Sequence, residues 1–440
     1  MEAAMSISYM FCRRQDKVPS CDQQFCRFKI FPLFLLFIME SIITQLTQQK
    51  AWEDFLKYRL LKCRFNWNEF DAADSYVEQE KYLHLAQKIV RGEDLGIPRK
   101  MMVNKMGAGK KRVVYSYTPD EMTILKFIAY SLYHYDDHFA PNCYAFRRGV
   151  KAHDAIRRIN SAISGRAMWA YKLDIHDYFN SISIDLLLPM LEEMLADDQP
   201  LFHFFERMLT NNCVEYNGEV ILENHGVMAG VPTSPFLANV YLKEVDKHFH
   251  ESGAIYARYS DDIIIFAPDP DTLEDYRGQM EDFLRLYRLE VNPEKVNVYS
   301  PDVAYEFLGF KCHDNDIDIS ESAKKKMKGK IRRAANSLLR WSRKQHIPPE
   351  KAMKGLVNRF NRKFFEGDDA ETLSWSRWFF PVINQSEGLR EIDHYLQQYI
   401  RYLGTGRHCK TNYKTDYSQL KQMGYRSLVN EFFKFKGSRF

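Results

Sequence analysis

The sequence predicts an α+β fold, and three observations carry that expectation. At 254–267, AIYARYSDDIIIFA, two β-type runs flank an acidic tip: Ile255 to Tyr259 alternates bulky and small side chains, and Ile263 to Phe266 is short and continuously apolar, as in a strand covered on both faces. At 97–117, IPRKMMVNKMGAGKKRVVYSY, a Gly107-Ala108-Gly109 turn separates two further strands. Longer stretches at 119–139, 271–289 and 391–404 read as helices, the last with Ile392, Tyr395, Leu396 and Tyr399 on one apolar stripe. A chain of 440 residues with a 45% apolar share buries a large core in two or three domains and is not a disordered chain.

Taken in order, residues 1–38 differ in character from the rest of the chain. Their apolar run IFPLFLLFI at 30–38 is too short to span a bilayer, and no small-residue cleavage site comes after it. They read as a dispensable leader or an over-extended reading frame, with Met39 opening an amphipathic helix in ESIITQLTQQKAWEDFLKYRLL and a helical extension over 39–94. The eight cysteines form neither a CxxC pair nor a zinc spacing, so they are expected to be reduced thiols in a cytoplasmic protein without a membrane partner. Net charge is only +4, so a partner rich in phosphate requires the basic residues to be concentrated locally. They are: Arg99, Lys100, Lys105, Lys110, Lys111 and Arg112 line the 97–117 hairpin, and Lys324, Lys325, Lys326, Lys328, Lys330, Arg332 and Arg333 fall within ten residues.

The acidic tip carries the chemistry. An adjacent pair such as Asp261 and Asp262 is on its own most often a solvated turn. A second acidic site changes the weighing: Asp174 comes directly after the strand-like Tyr171 to Leu173 and precedes Ile175. Three carboxylates on two strands suit hard divalent cations, two Mg²⁺ ions with Mn²⁺ as a substitute, which can activate an attacking oxygen and stabilise the leaving oxygen of a phosphoryl displacement.

YSDD at 259–262 resembles the Tyr-x-Asp-Asp box of reverse transcriptases, and DIHDYFNSIS at 174–183 is similar to their first palm motif. Between them HGVMAGVPTSPFLANVYL resembles the Gly-x-x-x-Ser-Pro box, carried by Gly230, Ser234 and Pro235. The likeness covers roughly residues 95 to 435, and the bacterial group II intron-like and retron-like enzymes are the relatives it suggests. It implies a right-hand polymerase: fingers over 95–170, a palm over 171–316 that includes some fingers elements, and a basic helical thumb over 317–440. Asp174, Asp261 and Asp262 become the catalytic metal ligands, with the Ile175 carbonyl completing the coordination. Lys110, Arg112 and Arg147 are assigned to the incoming nucleotide or template, Phe179 to the sugar, where its ring blocks a 2′-OH, and Ala229 and Gly230 to the nucleotide. Ala229 stands where most relatives have Gln, a departure expected in a specialised enzyme. Lys295 either protonates the leaving pyrophosphate or pairs with Glu294. Phe307, Leu308 and Gly309 resemble the primer grip, and the basic run from Lys324 to Arg333 is assigned to RNA. Asp177 is read as a helix cap, Asn239 and Tyr241 as structural, and His153 as a cap or packing residue.

The resemblance implies RNA-directed DNA synthesis from dNTPs, with an RNA template and a DNA product. A dedicated non-coding RNA and a role in anti-phage defence are the narrower expectation. Two other readings stand beside it: an RNA-binding intron maturase, which keeps the basic thumb and tolerates loss of the aspartates, and a template-independent or protein-primed polymerase of the abortive-infection kind.

Overall fold

The computed structural model describes residues 40–62, 67–104, 111–366 and 374–437. The leader read at 1–38 and the tip of the basic hairpin with Lys105 and Lys110 lie outside the described residues. From Glu40 onward the chain forms one α+β unit.

The N-terminal extension is helical, as its composition suggests, but the single helix expected after Met39 is two, Ile42–Gln45 and Gln49–Lys62. The chain turns between them because Leu46 is buried and its carbonyl accepts the Trp52 indole N–H at 2.8 Å. Trp52 in turn stacks on Tyr82 at 4.4 Å and lies 4.6 Å from Phe127. The buried carboxylate of Asp198 accepts from Ser41 Oγ and the Ile42 amide, at 2.6 and 2.8 Å, and from the Leu201 amide at 3.1 Å. One side chain thus satisfies the free N–H groups at two helix starts, which is why a full charge is tolerated inside.

The strands fall into three sheets. Strands β1 (Arg99–Asn104) and β2 (Lys111–Ser116) form the basic hairpin, with Val103 opposite Arg112. They continue through β4 (Cys213–Tyr216) to β5 (Glu219–Leu222) in the order β2-β1-β4-β5. The second sheet, in the order β6-β7-β3-β8, joins β6 (Ile255–Tyr259), β7 (Asp262–Ala267), β3 (Trp169–Asp174) and β8 (Asn297–Tyr299), all antiparallel. The third pairs β9 (Tyr305–Phe307), β10 (Phe310–His313) and β11 (Asp316–Ile319).

The uninterrupted apolar run Ile263 to Phe266 arises because the second sheet is covered on both faces. Successive side chains of a strand point to opposite faces. Ile263 and Ile265, with Tyr171, Leu173 and Tyr256, enter one core shared with the N-terminal helices. Ile264 and Phe266, with Ala170 and Ala257, enter a second core built with the C-terminal helices. Each of the isoleucine, leucine and phenylalanine side chains contributes on the order of 2 kcal/mol by leaving water, so the sheet end that holds the acids rests on packing from both sides.

Helix α1 (Pro119–Ser131) starts on a Thr118/Glu121 capping box and runs on into a 3₁₀ stretch, Leu132–His138. Helix α2 (Ala152–Ile163) packs on β6, and α3 (Ser234–Tyr241) and α4 (Lys243–Glu251) back the site. Helix α5 (Pro270–Leu286) corresponds to the helix expected at 271–289 but ends three residues earlier, with Arg288 at φ +52°. Helices α6 (Glu321–Lys344), α7 (Pro349–Asn361) and α8 (Glu387–Thr405) pack together at the C-terminal end. On α8 the stripe buries Ile392, Leu396 and Tyr399 in the second core, with Tyr395 at its margin, as expected for core. No helix among the described residues is long and apolar enough to cross a membrane. The four described cysteines, Cys143, Cys213, Cys312 and Cys409, are free thiols.

Candidate active site

The acid tip is a two-residue hairpin loop. Tyr259 pairs with Asp262 across β6 and β7, leaving Ser260 and Asp261 as the turn, with Ser260 at φ +62°. A non-glycine residue in the left-handed region at a tight turn stores a little strain, of order 1–3 kcal/mol, that the surroundings must hold. Asp262 is the first residue of β7 and lies directly opposite Asp174, the last residue of β3. Asp261 is fixed beside them, because its carbonyl accepts the Ile175 amide at 3.1 Å. The sheet therefore brings Asp174, Asp261 and Asp262 to one end, as the sequence predicts.

Burial and mutual proximity act on these acids. The Asp262 carboxyl is pushed up to about 6, first by desolvation, with Asp261 and Asp174 adding to it and Lys172 and Lys295 opposing. Asp261 is raised in the same direction, again first by burial and then by Asp174. Two neighbouring acids that resist ionisation in this way are favoured by added positive charge, and the all-oxygen donor set fits a hard divalent cation. Among the described residues no group of three or more His, Cys, Asp or Glu side chains is drawn together closely enough to form a ligand cage. The third carboxylate is instead engaged by protein: Lys295 Nζ lies 2.5 Å from Asp174 Oδ1. Lys295, expected at the pyrophosphate or on Glu294, is thus an ion-pair partner of Asp174 itself. Its reach is set by the chain, since Asn292 N donates to the Asp174 carbonyl at 2.8 Å just before the Pro293–Lys295 turn. Ile175 faces Val291 in a bridge whose bonds run through His176 N and Asn292 N to the carbonyls of Glu290 and Asp174, so the Ile175 carbonyl is not committed to that neighbour.

The nucleotide assignments divide. Arg112 is exposed on β2 next to the undescribed tip with Lys110. Arg147 is turned onto its own loop, donating through Nη1 to the carbonyls of Ala140 and Cys143 at 2.9 and 3.0 Å, so half of its guanidinium shapes the 140–147 loop and is not presented to a ligand. Phe179 lies in an aromatic group that sequence reading does not single out: Phe146, at φ +60° and exposed, meets Phe179 edge-on at 6.1 Å and lies 6.4 Å from Tyr259. Phe146 sits inside the YAFRRG block, and a large exposed ring between Ala145 and two arginines is the signal by which it could be found. Asp177 stands at the N-terminal position of Tyr178–Ser181 but makes no capping bond; its carboxylate takes Asn180 Nδ2 at 3.3 Å.

Ala229 and Gly230 are held against the same wall. Ala229 N donates to Asn180 Oδ1 at 3.1 Å, and its carbonyl accepts Tyr115 N of β2 at 2.8 Å. A Cβ on Gly230, at φ +103°, would stand 2.9 Å from the Tyr115 carbonyl, so only glycine lets this loop lie along β2. Gly226 is tighter still: its Cβ would fall 2.5 Å from the Phe179 carbonyl. Ser234, at the start of α3, donates back to the Val227 and Met228 carbonyls and locks the loop.

Two assignments further along change. Phe307 is fully buried in the second core, so its ring cannot meet a primer. Leu308 and Gly309 form the β9–β10 turn with φ of +51° and +87°, the pairing of a type I′ loop. Their carbonyls are taken by Trp378 Nε1 and Ser320 N, and the Gly309 backbone approaches Phe379 rather than open space. In the basic run, Lys324 is buried on α6 and pairs with Glu391 and Glu321 at 2.6 and 2.7 Å, and Lys328 also pairs with Glu391. These two lysines fasten α6 to α8. Lys325, Lys326, Arg332 and Arg333 are exposed on α6, and Lys330 and Arg333 line a groove of about 1010 Å³ with Arg359 of α7 and Arg362 of the turn that follows it. His153 packs, its Nε2 2.7 Å from the Trp378 carbonyl, and Asn239 and Tyr241 are buried and hydrogen-bonded.

Residues 100–312 match the family Reverse transcriptase (RNA-dependent DNA polymerase). This stretch, just under half of the chain, is similar to the reverse transcriptases. The stretch matched by this reverse transcriptase family runs from the basic hairpin through the acidic turn to β10, so it contains the three carboxylates, the aromatic group and the glycine loop. The chain is 27% identical over 122 residues to the Retron Ec83 reverse transcriptase of Escherichia coli, covering 26% of this chain and 37% of that one. It is 26% identical over 155 residues to an uncharacterized 91 kDa protein in a cob intron of Schizosaccharomyces pombe, covering 34% of this chain and 18% of that protein. The chain thus spans well under half the length of either relative. Among solved structures, similarity is found to telomerase of Candida albicans in complex with a fragment of telomeric RNA, at 10% identity and a TM-score of 0.42 over 81% of this chain and 68% of that one. Apo telomerase of Candida tropicalis, truncated from its C-terminal domain, gives 14% identity and a TM-score of 0.41 over 51% and 55%.

Proposed function

We propose that this chain copies RNA into DNA by nucleotidyl transfer at the end of the β3–β7 sheet. The observation that carries the reading is the register: Asp174 faces Asp262, and Asp261 is tied to the same strand through Ile175. In this reading Asp174, Asp261 and Asp262 hold divalent metal, with the Ile175 carbonyl available as a further oxygen. Bound Mg²⁺ supplies activation of the attacking oxygen and neutralisation of the phosphates. The primer 3′-oxygen forms a bond to the α-phosphorus of a dNTP, the bond to pyrophosphate breaks, and the chain's own groups orient both. Phe179, braced by Phe146, packs against the sugar and leaves no space for a 2′-OH. Lys295 Nζ, released from Asp174, holds a proton for the leaving pyrophosphate. The hairpin with Lys110 and Arg112 faces the triphosphate, and Lys325, Lys326, Arg332 and Arg333 hold a phosphate backbone by charge, independently of its sequence. Segments 95–170, 171–316 and 317–440 act as fingers, palm and thumb.

The narrower form of the proposal is a dedicated non-coding RNA as template and a role in anti-phage defence. Ala229, where relatives have Gln, favours such a specialised enzyme. The test is to purify the chain from cells, sequence the nucleic acid that accompanies it, and repeat with Asp261 and Asp262 both changed to Ala. One RNA enriched with both proteins, and complementary DNA only with the intact chain, is expected. RNA without aspartate-dependent DNA would overturn the polymerase reading in favour of an RNA-binding maturase.

A further inference from the structure

The largest charged side chain wholly inside the protein, among the described residues, lies directly beneath the acid turn. Arg258 and Asp246 both have fully buried side chains. Each guanidinium nitrogen of Arg258 has an acceptor. Nε and Nη2 reach the two Asp246 oxygens at 2.8 and 2.5 Å, and Nη2 also reaches Cys143 Sγ at 3.3 Å. Nη1 donates to Asn239 Oδ1 at 3.2 Å and to the Ser260 carbonyl at 3.3 Å. Tyr256 Oη completes the Asp246 shell at 2.9 Å. A buried ion pair adds little net stability over apolar residues of the same size, so its presence calls for another reason.

The Ser260 contact supplies one. That carbonyl belongs to the peptide entering Asp261, and the peptide leaving Asp261 is held through its carbonyl by the Ile175 amide. Asp261 is therefore clamped on both sides, once by Arg258 and once by the strand that carries Asp174. The same arginine is also tied to the loop that carries Phe146. Its amide donates to the Asn142 carbonyl at 3.0 Å, its carbonyl accepts Tyr144 N at 2.9 Å, and Asn239 Nδ2 holds the Ala145 carbonyl at 2.9 Å.

We propose that Arg258 is a positioning residue for catalysis, setting the acid turn and the Phe146 loop in one fixed relation so that metal ligands and the aromatic wall meet the same nucleotide. This rests on the polymerase reading above. A misplacement of a reacting group by about 1 Å is enough to cost about 10²-fold in rate, and the strained φ at Ser260 gives the turn a reason to relax once its carbonyl is released.

Two variants test it. Arg258→Lys keeps a charge for Asp246 but cannot serve Asp246 and the Ser260 carbonyl through one planar fork. The triple change Arg258→Met, Asp246→Leu, Tyr256→Phe removes every polar group of the pair and leaves an apolar core. Each is assayed well below its melting midpoint for kcat and for KM of the dNTP on an RNA template with a DNA primer, and amide exchange at Ile175 is measured in parallel. We expect a cooperatively folded protein, kcat lower by about 10²-fold, KM within about twofold, and faster exchange at Ile175. Either folded variant decides the matter: wild-type kcat, or a loss that merely tracks the folded fraction, together with unchanged Ile175 protection, would overturn the inference. If the wild-type chain makes no DNA in the same assay the polymerase reading fails, and Ile175 exchange still reports whether Arg258 holds the turn.

Discussion

The surroundings of Asp262 disfavour its charged form. Its carboxyl is raised to about 6 in the folded protein, against an ordinary value near 3.8. An acid with a raised folded value binds its proton more tightly when folded, so its burial is free of penalty below pH ~4 and destabilises progressively as pH rises to about 6. One unit is worth about 1.4 kcal/mol, so the penalty is at most about 3 kcal/mol, shared with the neighbouring Asp261. Thermal melts of metal-free protein should fall in midpoint over that pH range. Asp262→Asn should reduce the fall, leaving the part due to Asp261, and added Mg²⁺ should reverse it in the parent chain; a flat profile in the parent chain would contradict the crowding of these acids. At Phe179 the expected outcome is altered sugar choice. Truncation to Ala removes the ring that Phe146 braces, and incorporation of ribonucleotides relative to deoxynucleotides should rise by about tenfold or more, read by primer extension with each nucleotide set. Asp262 and Phe179 stand in motifs that are legible from sequence. The exposed placement of the Phe146 ring and the inward turn of Arg147 are not, because they depend on a left-handed φ at Phe146 that no side chain in the block announces.

Among the elements, the loop ahead of α3 depends on two glycines for different reasons. Gly230 must let β2 pass and Gly226 must let the Phe179 carbonyl pass, so Gly226→Ala, whose Cβ would meet the backbone of both Phe179 and Asn180, should be the more damaging. Chemical denaturation should give a loss of at least about 2 kcal/mol for Gly226→Ala. Helix α6 separates two kinds of base that one run of sequence presents as equal. Changing Lys324 or Lys328 to Ala should lower stability by breaking the bridges to Glu391, with little effect on how RNA binding depends on salt. Changing Arg332 or Arg333 to Ala should leave stability within about 0.5 kcal/mol and reduce the slope of log affinity against log salt by about one per phosphate released. The helical period of α6, which buries Lys324 with Met327 and Ile331, makes the distinction, and a run in which seven of ten residues are charged hides it.

For the whole molecule, the order of motifs along the chain carries the family, and the strands around them carry the α+β class. The sheet between two cores is foreshadowed by a single feature, the unbroken apolar run after Asp262. The partner of Lys295 is open to sequence reading only as a choice between Glu294 and a phosphate, since a contact between residues 121 apart depends on β8 lying beside β3. The Phe-Leu-Gly turn is recognisable by its wording, yet its carbonyls are taken by Trp378 and Ser320, the first of them 70 residues further along the chain. The central claim is that three carboxylates gathered at one sheet end make DNA on RNA. The most direct measurement is extension of a labelled DNA primer on a defined RNA template by the purified chain with Mg²⁺, beside the Asp261→Asn/Asp262→Asn protein. Extension that copies the template sequence and disappears in the double variant, while that variant remains folded and still binds RNA, is the predicted result. Extension that survives in the double variant, or product that ignores the template, would contradict it.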